Sequence, residues 1–285
     1  MTTAHLPAFG GEAVDFHGYA CHNFALQDAA ACVAAPAAPI QGRPWVLRTR
    51  YWNAFPAVDI ALLERGFHIA HIDVGNTYGN PAALALFSAF YDLLTKTHGL
   101  SPRPALEGLS MGGFLAYRWG HLNPDKVGCI YADAPLCDLR YVPGGRGKVA
   151  RNPEGWQAAL DAYGFTEEQM LAWDGNPVDT LAPLAKAGVP LLHVVGDADP
   201  ILPLDEQTNV VRERYLRLGG STAVIVKQGC AHHPHGLAKP APIVDFILAH
   251  AAEGEAARVA APLAPQPGSV AVLTPDQWND QSGEE

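Results

Sequence analysis

Short apolar runs alternate along most of this chain with longer amphipathic segments. Pro44–Thr49 (PWVLRT), Phe67–Val74 (FHIAHIDV), Ala105–Leu109, Val127–Ala132, Val189–Val195 (VPLLHVV) and Thr222–Val226 (TAVIV) have the length and composition of strands, several of them buried on both faces. Pro56–Arg65 opens on a helix-starting proline, spaces Val58, Leu62 and Leu63 helically and is stopped by Gly66. Pro81–His98 sets Leu84, Phe87, Tyr91 and Leu94 on one stripe ended by Gly99, and Met111–Leu122 stops before Asn123-Pro124. Repeated strand-to-helix steps of this kind predict an α/β protein with a mostly parallel, doubly wound sheet. Ahead of them, Val14–Ala35 reads as a hairpin of two strands turning near Gln27-Asp28.

Two regions break the rhythm. Cys137–Gly188 holds the loop PGGRGKVAR and helical patches at Trp156–Tyr163 and Thr166–Trp173, but no convincing strand. Structureless loops of that length are unusual in a compact domain, so residues 138–188 are expected to form a helical lid inserted between two strands. Beyond Glu253, Ala, Pro and Gln dominate and apolar periodicity vanishes except at Ser269–Leu273. Residues 253–285 are therefore expected to be a flexible or loosely docked tail to a domain spanning 12–252.

Composition narrows the partners. With 48% hydrophobic and 17% charged among 285 residues, disorder, collagen and coiled coil are excluded as global descriptions. A chain of this length buries a sufficient core without a disulfide or metal staple. The net charge of −10 repels phosphate backbones and anionic bilayers, so neither nucleic acid nor membrane is an expected partner. Five cysteines, an odd number without a CxxC pair, indicate neither a disulfide framework nor a zinc knuckle. Met1–Gly11 carries no basic cluster or apolar run, and no stretch reaches the roughly 18 apolar residues of a membrane span; the expected location is the cytoplasm.

The sharpest chemical feature is GLSMGG, Gly108–Gly113, a GxSxG pattern between an apolar strand and a helix with Ser110 at its centre. A serine hydroxyl is a poor nucleophile and must be lifted clear of the sheet on a tight turn, for which Gly108 and Gly112 supply the room. Downstream, PLLHVV runs into GDADPILP with Asp197 and Asp199, and TAVIV runs into KQGCAHHPHG with His232, His233 and His235. Ligand chemistry on open parallel sheets lies at these carboxyl ends, and the order Ser, Asp, His is the one a hydrolase arrangement requires. Each has a plainer reading: an N-cap serine, an Asx turn, or three histidines inviting zinc. A catalytic zinc site wants ligands on rigid elements with a carboxylate partner, whereas Pro234 and its neighbouring glycines suggest a loop. No metal and no cofactor are expected.

Through GLSMGG, GDADPILP and GCAHHPHGL the sequence resembles the α/β-hydrolase superfamily over roughly Val14–Ala251. AFPAVDIALLERGFH and the HHPHGL stretch look like bacterial hydrolases labelled as esterases or prolyl-oligopeptidase-like proteins, some associated with polysaccharide breakdown. The resemblance implies Asp199, third after the strand-ending glycine, as the acid rather than Asp197, and His232, first in its loop, as the base. It implies an oxyanion hole from the Met111 N–H and a donor in the loop after PWVLRT. That loop lacks the usual HG dipeptide; RTRYWN stands in its place, and the Arg50 N–H is the expected donor.

Arg48 and Arg50 read either as solvated or carboxylate-paired charges or, for one of them, as a contact to an acidic or sugar group. Tyr51, Tyr78 and Trp156 are the candidate substrate-binding residues, with Trp52 and Trp173 as further aromatics and Trp173 assigned to the lid core. Asp133 and Asp138 flank another loop that could face substrate. The expected function is a serine carboxylic-ester hydrolase working through an acyl-enzyme on small-molecule esters, acylated carbohydrates among them. A serine peptidase on short peptides and a noncatalytic binding protein on the same fold are the alternatives. The sequence leaves room for a homo-oligomer.

Overall fold

The computed structural model describes residues 9–252 and 261–279. Its strands are β1 (Glu12–Phe16), β2 (Tyr19–Leu26), β3 (Ala29–Ala34), β4 (Trp45–Arg48), β5 (His68–Ile72), β6 (Ala105–Leu109), β7 (Cys129–Asp133), β8 (Leu191–Gly196), β9 (Thr222–Lys227) and β10 (Val270–Leu273). They form one sheet in the order β1-β2-β3-β5-β4-β6-β7-β8-β9-β10. The first three are antiparallel, β3 joins β5 antiparallel, and every pairing beyond β5 is parallel.

Helices α1 (Ala57–Glu64), α2 (Pro81–Asp92), α3 (Met111–Leu122), α4 (Pro153–Tyr163), α5 (Glu167–Ala172), α6 (Ala182–Lys186), α7 (Thr208–Arg217) and α8 (Ala241–Ala251) complete the layers. Alternation along each strand divides the core between the sheet's two faces. Trp45 and Leu47 of β4 pack with Phe87 of α2, Leu115 of α3, Leu184 of α6 and Val211 of α7. Val46, between them, packs with Leu62 of α1 and Ile243 and Ile247 of α8. Strands covered on both sides carry apolar side chains in both directions, which is why they read as unbroken apolar runs. Among the described residues no helix is long and apolar enough to cross a membrane.

The amino-terminal region departs from a two-stranded hairpin. The turn at Gln27-Asp28 is where expected, with φ of 49° and 67°, but β1 precedes it as a third strand through a second turn at His17-Gly18. In β1 only Phe16 is buried, so the strand has no apolar alternation to read. Residues 261–279 of the expected tail are docked: β10 adds to β9 in parallel register, and the Trp278 indole donates to the Gln228 carbonyl at 3.1 Å. Residues 253–260 and 280–285 of that tail lie outside the described residues.

Between β7 and β8 stand α4, α5 and α6. Trp156, Ala159 and Leu160 of α4 and Met170 of α5 pack with Tyr78, Phe114 and Leu139 in a separate apolar cluster. Asn152 and Thr166 cap α4 and α5 through their side chains, so these short helices start where the local chemistry dictates.

One polar chain crosses the core. Tyr117 Oη lies 2.7 Å from His193 Nε2, and His193 Nδ1 lies 2.9 Å from Thr208 Oγ1. Burial drives the His193 imidazole down to about 3. Because this lies below the unfolded value of about 6.5, the contribution of His193 to stability is whole above about pH 6.5 and is lost as the pH falls toward its folded value, by up to about 1.4 kcal/mol per pH unit. Ring NMR shifts of His193 should report a neutral imidazole down to about pH 4.5. Protonation near pH 6.5 would show instead that water reaches the ring.

Candidate active site

β6 ends at Leu109 and the chain turns at Ser110 into α3, with Ser110 at φ 51° and ψ −117°. A non-glycine residue there is strained by about 1–3 kcal/mol and persists only where its surroundings fix it. The Ser110 N–H donates to the Asp133 carbonyl at 2.8 Å, and the Ser110 carbonyl accepts from Leu136 N and Gly113 N, each at 3.0 Å. A β-carbon on Gly108 would lie 2.4 Å from the Gly112 carbonyl oxygen, and one on Gly113 would lie 2.5 Å from Pro135 Cβ. These two glycines let the helix fold back across the strand. Gly112, expected as the partner of Gly108, is less constrained, since its β-carbon would meet Thr49 Oγ1 at 3.2 Å.

Three loops meet at this turn. Ser110 Oγ lies 3.1 Å from His232 Nε2, and His232 Nδ1 lies 2.6 Å from Asp199 Oδ2. The other Asp199 oxygen accepts from the amides of Ile201 and Leu202 at 2.8 and 3.0 Å. Burial alone would raise the Asp199 carboxyl, but the His232 hydrogen bond and the two amides outweigh it and hold the group below the ordinary carboxylate range. Asp197 points elsewhere and accepts from the Gly229 amide at 2.6 Å, tying the two loops together. A carboxylate, an imidazole and a serine hydroxyl in this order form a relay able to deprotonate the serine as it attacks.

The two amides expected as oxyanion donors belong to Met111, directly after Ser110, and to Arg50, in the loop after β4. Met111 is the first residue of α3, so its N–H has no intrahelical acceptor. The β-carbon position of Gly112 is 3.6 Å from the Arg50 nitrogen, which places that amide against the first turn of α3. Among the described residues the Arg50 N–H has no backbone acceptor. Thr49 fixes the segment, its amide donating to the Glu107 carbonyl at 3.0 Å and its hydroxyl lying 2.7 Å from the Gly112 carbonyl.

Arg48 is neither solvated nor exposed to a ligand. It is fully buried, paired with Asp59 and, at 3.1 Å, with Glu107. It also donates to the carbonyls of Tyr51, at 3.2 Å, and Ala54, and so organises the loop from inside. That support accompanies three left-handed residues, Tyr51, Asn53 and Phe55, at φ 57°, 62° and 52°.

Two of the three candidate substrate-binding aromatics move to the lid core. Tyr78 is buried, its hydroxyl donating to the Gly155 carbonyl at 3.1 Å, and Trp156 is 2% exposed in the same cluster. Lid aromatics bury their own apolar area, a preference that local spacing does not reveal. Trp173 packs on Tyr163 as expected, while Trp52 stacks between Phe16 and His71. Tyr51, 42% exposed with the Arg50 guanidinium 5.1 Å over its ring, is the one that remains open.

Asp133 and Asp138 do not face a substrate. Asp138 pairs with Arg140 at 2.7 Å. Asp133 accepts from His235 Nδ1 at 2.7 Å, from the Gly236 amide at 2.8 Å and from the Tyr131 hydroxyl at 2.9 Å. Lys227 donates to the carbonyls of Pro234 and, at 3.2 Å, Gly236. Asp133, His235 and Lys227 thus pin the histidine loop to the sheet. Asp133 and Lys227 end parallel strands, which was the available signal for these residues.

No family model matches the sequence, and no curated protein matches it. Solved structures do. A puromycin-hydrolyzing peptidase of Mycobacterium tuberculosis is similar at a TM-score of 0.63 and 14% identity, over 86% of this chain and 39% of that one. An acylaminoacyl peptidase of Pyrococcus horikoshii gives 0.61 and 12%, over 82% of this chain and 42% of that one. An S-formylglutathione hydrolase of Agrobacterium tumefaciens gives 0.56 and 15%, over 83% of this chain and 94% of that one. The chain therefore spans about two fifths of the length of the two peptidases and nearly the whole of the third protein. All three are α/β-hydrolases, and this chain has the α/β-hydrolase fold.

The turn geometry gives a direct test. Gly108→Ala would drive a β-carbon into backbone that cannot move without unseating Ser110, so it should cost at least about 3 kcal/mol or abolish folded protein, whereas Gly112→Ala should cost less than about half of that. Denaturant melts of the two variants check the order, and equal stabilities would mean the helix can shift away from the strand.

Proposed function

We propose that the protein is a serine carboxylic-ester hydrolase with Ser110 as nucleophile, His232 as general base and acid, and Asp199 as the group that orients the imidazole. The observation that carries this reading is the continuous relay from Asp199 through His232 to Ser110, on a nucleophile held in a strained turn. His232 takes the Ser110 proton at Nε2 as Oγ attacks the ester carbonyl, and Asp199 stabilises the imidazolium. The Met111 and Arg50 amides receive the developing oxyanion, a contribution of about 3 kcal/mol for each donor. The Nε2 proton then passes to the leaving alkoxide, and water repeats the attack to free the acid.

The choice of an ester over a peptide rests on the S-formylglutathione hydrolase, an esterase that the chain matches over 94% of its length, against 39% and 42% for the peptidases. With Tyr78 and Trp156 in the lid core, stacking of an acylated sugar falls to Tyr51 beside Arg50, and small esters are the substrate class we infer.

The decisive experiment is labelling with a fluorophosphonate, followed by a panel of p-nitrophenyl acyl esters, acetylated and feruloylated sugars and a prolyl amide. Wild type should label and Ser110→Ala should not, with turnover down by about 10⁴-fold or more and folding intact. A folded wild type that fails to label would defeat the proposal, and amide cleavage without ester cleavage would replace it with the peptidase. Asp199→Asn should cost about 10³–10⁴-fold in kcat, while Asp197→Asn, which keeps an acceptor for Gly229, should cost less than about tenfold. Equal losses at the two positions would reassign the acid.

A further inference from the structure

The loop after β9 carries more imidazole chemistry than ester hydrolysis uses. His232, His233 and His235 each bring a ring nitrogen within 4.8 Å of the others. Their rings stand nearly perpendicular in pairs, with centroids 4.9, 5.1 and 4.8 Å apart. Two of the three are backed by buried carboxylates, His232 Nδ1 by Asp199 at 2.6 Å and His235 Nδ1 by Asp133 at 2.7 Å. A carboxylate behind Nδ1 fixes the tautomer with Nε2 as the lone-pair nitrogen, which is the arrangement that orients metal-ligating imidazoles.

In the sequence, Pro234 and its neighbouring glycines suggest a loop with neither a rigid element nor a carboxylate partner for a metal. The structure supplies both, because Asp133 and Lys227 clamp this loop to the ends of β7 and β9. The third imidazole, His233, is exposed and lies flat against Phe55, with centroids 5.7 Å apart and planes inclined by 11°, so an ion reaches the cluster from solvent.

We propose that His232, His233 and His235 form a site for a divalent cation of the Zn²⁺ class, and that its occupation switches the enzyme off reversibly. Imidazole suits Zn²⁺ among the borderline cations, and three nitrogens with one water complete its tetrahedron. In such a site, with Zn–N of about 2.05 Å, the nitrogens lie about 3.3 Å apart, so closing from 4.8 Å moves each by less than about 1 Å. Asp199 and Asp133 offset the charge of the ion. No covalent bond of the protein forms or breaks: the His232 Nε2 lone pair goes to the cation, the hydrogen bond from Ser110 is lost, and the serine keeps its proton. Binding rests on the three imidazoles alone, whereas the loss of turnover rests on the serine-hydrolase reading.

The test uses the whole protein, first stripped with chelator. Titration with Co²⁺ should give one ion per chain with the visible absorption of a four-coordinate site, displaced by Zn²⁺ and unaffected by Mg²⁺. Zn²⁺ should slow fluorophosphonate labelling of Ser110, with reversal by EDTA. In His233→Asn, which alters only the exposed member of the cluster, both titrations should shift by at least about tenfold, each referred to that variant's own metal-free rate. Absence of the Co²⁺ spectrum, or unchanged titrations in His233→Asn, overturns the site. Metal binding lost in His233→Asn without any effect of Zn²⁺ on wild-type labelling removes His232 from the ligands and overturns the switch. If Ser110 is unreactive even without metal, the hydrolase reading fails and the Co²⁺ titration still decides the site.

Discussion

The residue on which the site depends is Asp133, the last of β7. Its main-chain carbonyl holds the Ser110 amide and its carboxylate holds His235 and the Gly236 amide. The Ser110 turn and the histidine loop are thus fastened to opposite ends of one residue, on the strand between β6 and β8. Burial alone would raise its carboxyl, but the His235 hydrogen bond, the nearby Lys227 charge and the Gly236 amide hold it below the usual carboxylate range. The turn that carries Ser110 and the loop that carries His232, 3.1 Å apart at Oγ and Nε2, are both tied to the end of β7.

Arg48 is the corresponding anchor on the other side. A buried guanidinium facing two carboxylates is costly to desolvate and contributes little net stability. Burial and the charge of Asp59 push Glu107 well above the ordinary carboxylate range, against the pull of Arg48. What this cluster achieves is geometric: the same guanidinium holds the Tyr51 and Ala54 carbonyls, and so shapes the loop from which the Arg50 amide is offered.

Much of this was legible in the sequence, for definite reasons. β4 to β9 are covered on both faces and read as apolar runs, and each of Ser110, Asp199 and His232 lies in the turn or loop after such a run. β1 was not legible, because four of its five residues are exposed. Of the readings open for Arg48, the carboxylate-paired one matches the structure, but its partners Asp59 and Glu107 stand 11 and 59 residues away, where no local pattern names them. Tyr78 and Trp156 have the composition of a binding surface, and only the packing of α4 against the loop before α2 turns them inward. Asp133 meets His235 across 102 residues, a separation no local pattern spans.

The strand β10 carries a consequence of another kind. It covers the outer edge of β9 and becomes the sheet's last strand, only four residues long, with Val270 and Val272 facing outward at 48% and 59% exposure. An uncovered β9 would offer a longer and wholly buried-type strand, Thr222–Lys227, as a template for a neighbouring molecule. Within the described residues the sheet therefore ends on a four-residue edge instead of on the six-residue β9.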